Sequence, residues 1–157
     1  MLFVFIKMQK RTYLALGIGV ALYFLPHIEN KLLFFCAVIV SSMLPDLFSL
    51  LPLVGKRRVI KFTAGEVIKP NDFLHTYTVC VLIAICFAFF YPILAFPFFL
   101  GYSFHLALDS FSVRGIKPFW PFNKISAGPI NPGGKVENTI FVMFIIFDVA
   151  LSIKVFA

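Results

Sequence analysis

The sequence predicts an all-α integral membrane helical bundle with about five transmembrane helices, and three observations carry that reading. Of the 157 residues, 61% are hydrophobic and only 13% are charged. An ordinary soluble domain carries roughly 25% charged residues. The mean hydropathy is +0.96, more apolar surface than a soluble core of this size can bury. The apolar residues also fall into five runs, each near the roughly 20 residues that cross a hydrocarbon layer. None shows the polar–apolar alternation of a membrane barrel strand.

The first run covers 3–26 and is interrupted by Lys7, Lys10 and Arg11, so its membrane part begins near Thr12. No cleavage site of a signal peptide is evident, and this run is expected to be retained. The second run covers 31–54, the third 73–91, the fourth 93–113 and the fifth 137–157. Tyr91-Pro92, with Pro97 shortly after, predicts a tight turn between the third and fourth helices. There is no internal repeat, and one polytopic domain over 1–157 is expected.

Basic residues set the orientation. Lys7, Lys10 and Arg11 open the first run; Lys56, Arg57, Arg58, Lys61 and Lys69 follow the second; Arg114, Lys117, Lys124 and Lys135 follow the fourth. With five crossings these twelve of the fourteen basic residues share one side, and only Lys31 and Lys154 lie opposite. The positive-inside rule makes the basic side cytoplasmic, with the N-terminus inside a cell inner (plasma) membrane. The net charge of +7 is explained by anionic lipid headgroups at helix ends, so no nucleic-acid partner is implied. Cys36, Cys80 and Cys86 lack CxxC spacing and are expected to be free thiols.

Against this apolar background the ionisable residues stand out. His105 and Asp109 are four apart in Gly101-Tyr-Ser-Phe-His-Leu-Ala-Leu-Asp109. On a helix that spacing shares a face, about 5–6 Å apart, so the pair is able to hold one divalent metal. Asp46, in Leu44-Pro45-Asp46, lies near the cytoplasmic end of the second run. His75 is expected a few residues into the third helix, and Glu137 opens the fifth. By helical rise all five fall in the inner half of the bilayer. Two imidazoles with two or three carboxylates suit zinc, or manganese or iron.

Each residue has a plainer reading. Asp46 after Pro45 suits the start of a kinked helical piece, His75 a headgroup-level histidine, and Glu137 an exposed first-turn acid. His105 and Asp109 also suit a hydrogen-bonded pair without metal. Asp72 reads as a helix cap, and Glu66 and Glu29 as loop residues. Asp148 lies about 16 Å beyond Glu137 by helical rise and fits no such layer. A metal-activated water implies hydrolysis of an ester or phosphoester. Arg114, Lys117 and Lys124 flank the layer and suit an anionic headgroup, and Trp120 in Trp120-Pro121-Phe122 suits an interfacial anchor. Lys117 and Trp120 are the expected substrate-positioning residues.

Together these segments resemble the YdjM-like family of predicted membrane-bound metal-dependent hydrolases. The resemblance rests on Leu44-Pro45-Asp46, Leu74-His75-Thr76, Gly101-Tyr102 with His105 and Asp109, Gly115, Trp120-Pro121-Phe122, and Gly133-Gly134-Lys135-Val136-Glu137. It covers about 40–140 in order. It implies Asp46, His75, His105 and Asp109 as metal ligands, and Glu137 as outer ligand or general base, with Asp46 also counted as catalytic. The chain departs from the family pattern where a second Asp is usual and Phe48 stands, and where His-Arg is usual and Pro70-Asn71 stand. Tyr13 stands in place of an early histidine. Three readings remain open: a hydrolase with a phospholipid-like substrate, a metal-binding or transport protein without hydrolysis, and a degenerate member with a structural role.

Overall fold

Pro92 has no amide with which to continue a preceding helix, and its fixed φ suits a first helical position. It therefore separates two helices across a single residue, Tyr91: α3 (Tyr77–Phe90) and α4 (Pro92–Ser110). Before them come α1 (Lys10–Phe24), a 3-10 turn (Leu25–His27) containing Pro26, and α2 (Lys31–Leu50) containing Pro45. α5 (Lys135–Phe156) follows. The computed structural model describes residues 8–50, 74–113, 115–119, 122 and 124–157, the side chains of 48–50 excepted. Among these residues regular structure is entirely helical, apart from two isolated bridges.

The third helix begins later than its apolar run. Thr76 is extended (φ −128°, ψ 143°), and its hydroxyl accepts from Val79 N–H at 3.3 Å, forming an N-cap. His75 thus precedes α3 instead of lying within it. The 14 residues of α3 span about 21 Å, short of a full crossing. α4 ends at Ser110 and not at 113, where Phe111 N–H bonds the Leu108 carbonyl at 3.2 Å and tightens the last turn. Among the described residues, α4 and α5 are the helices long and apolar enough to cross a membrane. Crossing by the other three rests on the sequence alone.

α4 packs on α1, α2 and α3, while α5 leans chiefly on α1. Val38, Leu100, Ala21 and Phe34 close one core between α1, α2 and α4. Cys80, Phe98, Tyr102 and Leu106 close another between α3 and α4. The Tyr102 hydroxyl donates to the Leu74 carbonyl, which pins the residues ahead of α3 onto α4. Between α4 and α5 the chain pairs Ser112 with Ile130 and Ile116 with Ser126, around Gly115 at φ 65°. The Pro118 carbonyl accepts from Tyr77 N–H at 2.8 Å, tying this loop to the start of α3.

Outward faces carry Phe89 (81% exposed), Phe90 (78%) and Ile153 (64%). An exterior this apolar suits lipid and not water. Where α2 meets α4 the approach is close because position 101 has no side chain. A Cβ there would run into the Val38 carbonyl oxygen and stand 2.9 Å from Ser41 Cβ. Small residues permit such approach between membrane helices. Gly101→Ala must push α2 from α4, and backbone cannot yield as a flexible side chain would. The expected loss is about 1–3 kcal/mol, the usual range for overpacking, read as a lower apparent Tm of the detergent-purified protein. An unchanged Tm would mean the contact is looser than described.

Candidate metal centre

The last turns of α2 and α4 and the segment ahead of α3 bring four side chains together. Asp46 comes from α2, His105 and Asp109 from α4, and His75 from just before the Thr76 cap; all four are buried. His105 Nε2 lies 3.3 Å from Asp109 Oδ2 and 3.9 Å from Asp46 Oδ1. His75 Nε2 lies 3.7 Å from Asp46 Oδ1 and 3.9 Å from Asp109 Oδ2. Two nitrogens and two oxygens therefore alternate around a ring with edges of 3.3–3.9 Å.

These edges identify what the ring suits. A hydrogen bond between such atoms would measure about 2.7–3.2 Å. Ligands of one tetrahedral ion with bonds of about 2.0–2.2 Å sit about 3.3–3.5 Å apart. The four nitrogen–oxygen edges are thus close to those of an occupied zinc site and longer than hydrogen bonds. Asp46, His75 and His105 each offer a ligand atom within 4.8 Å of the others, a buried group able to hold a metal ion. Charge points the same way. A divalent cation would balance the charge of two ionised carboxylates in this buried setting.

Neighbouring groups aim the ligands. His105 Nδ1 is 2.6 Å from the Ser42 carbonyl, which can only accept, so that nitrogen carries the proton. Nε2 faces Asp46 and Asp109, buried and without a hydrogen-bond partner among the described residues. Such an outer bond is what orients metal-binding imidazoles. Pro45 has no amide for the Ser41 carbonyl, and the helix is relieved of one bond beside the carbonyl His105 uses. Tyr13 serves the other partner. Its hydroxyl donates to Asp109 Oδ1, directing Oδ2 to the imidazoles. Its ring stacks on His105 with centroids 4.0 Å apart and planes 18° apart.

Glu137 is placed differently from the outer ligand or general base expected of it. Its Oε1 accepts from Gln9 N–H at 2.6 Å and from the Thr12 hydroxyl at 3.0 Å, and its Oε2 accepts from Gly133 N–H. Oε1 thus joins the start of α5 to α1, and Oε2 is taken by the turn ahead of α5. Lys117 is half-buried in the loop that Pro118 ties to Tyr77, two residues from His75. Trp120, Arg114, Pro70, Asn71 and Asp72 lie outside the described residues, as does the side chain of Phe48. Cys36, Cys80 and Cys86 are free thiols apart from the cluster. Ser42 and Thr12 had no signal in the sequence. Tyr13 had one, as the residue standing where an early histidine is usual.

A protein-family model described as YdjM inner membrane protein matches residues 8–155. No curated protein and no solved structure matches the chain significantly.

Titration of detergent-purified protein with zinc tests these assignments. His105→Ala combined with Asp109→Ala should abolish stoichiometric binding. Tyr13→Phe keeps the stacked ring but releases Asp109, and should weaken affinity about 10–100-fold, as loss of an outer partner does. Equal binding by wild type and both variants would show that metal sits elsewhere.

Proposed function

Because the chain belongs to the family of YdjM inner membrane proteins, we propose that it is a membrane-embedded metal-dependent hydrolase. It acts on a phosphoester or other ester at the cytoplasmic leaflet, within five membrane-crossing helices whose basic loops and N-terminus face the cytoplasm. The observation that carries this reading is the ring of two imidazole nitrogens and two carboxylate oxygens at 3.3–3.9 Å. Asp46, His75, His105 and Asp109 are the ligands, and zinc suits them best, with manganese and iron compatible. When bound, the ion supplies Lewis acidity and a water acidic enough to attack at neutral pH.

The chain's own residues prepare that chemistry. Ser42 fixes the His105 tautomer, Tyr13 fixes the rotamer of Asp109, and the buried apolar surroundings keep competing water out. Asp46 presents one oxygen 3.7 and 3.9 Å from the two imidazoles. Glu137 is a positioning residue, acting through Thr12 and its neighbour Tyr13. Lys117 and Trp120 are proposed to hold an anionic, phospholipid-like headgroup, since their loop is tied to the residues beside His75.

Phe48, Pro70 and Asn71, standing where the family pattern differs, are the basis of a degenerate, structural reading. Metal binding or transport without hydrolysis rests instead on the same buried layer holding an ion, and is the reading the hydrolase must be told from. The two separate in nanodiscs supplied with zinc and short-chain phospholipid esters. Hydrolysis should depend on zinc and fall by more than the roughly 100-fold upper range of an outer-partner loss in His75→Ala. Zinc bound at full stoichiometry with no ester cleaved, and zinc taken up by proteoliposomes, would favour transport and overturn the hydrolase.

A further inference from the structure

Where α2 passes the metal centre, two glycines of other helices close on one residue. Ser42 is buried between α1 and α4. On α4, a Cβ at Gly101 would come within 2.9 Å of the Ser42 amide nitrogen. On α1, a Cβ at Gly17 would come within 2.6 Å of Ser42 Oγ and 3.1 Å of its Cβ. The hydroxyl turns back along its own helix and donates to the Ile39 carbonyl at 2.8 Å. Its contact with Gly17 is therefore steric.

The same residue governs a metal ligand. The Ser42 carbonyl accepts from His105 Nδ1 at 2.6 Å, which leaves Nε2 facing Asp46 and Asp109. The bond made by one ring nitrogen decides which nitrogen is offered to a metal. That carbonyl goes where α2 goes, and α2 has little freedom, because α1, α2 and α4 all pack on one another. A side chain at position 17 would push on Ser42 while α4 is already in contact at Gly101. α2 must then slide or turn, drawing the carbonyl from the imidazole and shifting Asp46, which lies one turn further along the same face.

We propose that Gly17 is a positioning residue of the metal centre, seating Ser42 so that the His105 proton stays on Nδ1 and Nε2 stays open to the ion. Tyr13, one turn before Gly17 on the same face of α1, stacks its ring on His105 with centroids 4.0 Å apart. One face of α1 thus sets both the plane of the imidazole and the place of its proton. Gly17 does this whether or not the ion hydrolyses an ester, so the proposal rests on the metal-centre reading alone.

The test is a double-mutant cycle of Gly17→Ala and Ser42→Gly on full-length protein in phosphatidylcholine nanodiscs. Ser42→Gly removes the atoms that the Gly17→Ala methyl would strike and keeps the carbonyl. The first readout is the nitrogen NMR spectrum of isotope-labelled histidines in metal-free protein at mildly alkaline pH. The chain has three histidines, and His105 is identified by its loss in His105→Ala. Its Nδ1–H form should dominate in wild type, fall to a minority in Gly17→Ala and return in the double variant. The second readout is zinc affinity. Gly17→Ala should weaken it about 10–100-fold, as loss of an outer partner does, but by less than about 2-fold when made in the Ser42→Gly background. Should Gly17→Ala alone not fold, the wild-type tautomer and the comparison of the double variant with Ser42→Gly still decide. An unchanged tautomer in Gly17→Ala, a loss that Ser42→Gly does not rescue, or a wild-type His105 protonated on Nε2 would overturn the proposal. A tautomer that follows the cycle in protein that binds no zinc would uphold Gly17 as the residue that sets His105, and would overturn the metal-centre reading instead.

Discussion

Two carboxylates, Asp46 and Asp109, are buried facing two imidazole nitrogens at distances too long for hydrogen bonds. In a low dielectric such an arrangement is well suited to a bound cation. Much of the molecule is arranged around that cluster. The Ser42 carbonyl fixes the proton of His105 on Nδ1, and Tyr13 holds one oxygen of Asp109 so that the other is presented. The close contact of α2 and α4 at Gly101 brings Ser42 within reach of His105, one turn further along α4. The N-cap at Thr76 begins α3 just after His75, so His75 lies ahead of the helix and not within it.

α1 is the second organising element. Thr12 reaches Glu137 while its neighbour Tyr13 reaches Asp109, so adjacent residues join the start of α5 to the buried cluster on α4. Arg11 adds a bond from Nη2 to Asn138 Oδ1 at 2.7 Å and lies over the Phe141 ring. α5 otherwise offers lipid-facing apolar side chains and packs little against the remaining helices. Its placement therefore depends on polar contacts at one end and on packing against α1, with Ile140 and Phe144 against the cluster of Tyr13 and Leu108. A helix held this way leaves a cleft toward α4, which is where the aromatic rings gather.

The helices and the grouping of Asp46, His75, His105 and Asp109 were legible because both rest on local pattern. Apolar runs gave five helices in the right order, and the i,i+4 spacing put His105 and Asp109 on one face of α4. Depth arguments brought Asp46 and His75 to the same place from other segments. The rest depended on information a spacing does not carry. Ser42 acts through its backbone carbonyl, which every residue possesses. The start of α3 was set by a single capping hydroxyl at Thr76 against a continuous apolar run. Glu137 looked like another acid of the layer, but both of its oxygens are taken by the chain around it. Asp148 fitted no layer in the sequence, and its neighbour Gly19 became meaningful only through the packing of α1 on α5.

Membership of a membrane-protein family, an apolar exterior and a buried ring of hard and borderline ligands join into one account. Its central claim is that the ring holds a metal ion. The most direct measurement is anomalous scattering at the zinc edge from crystals of zinc-loaded protein. The account predicts one strong peak bounded by Asp46, His75, His105 and Asp109, at about 2.0–2.2 Å from the nearest nitrogen and oxygen atoms. A peak at the cysteines or at surface residues, with the four side chains unchanged around an empty centre, would contradict it.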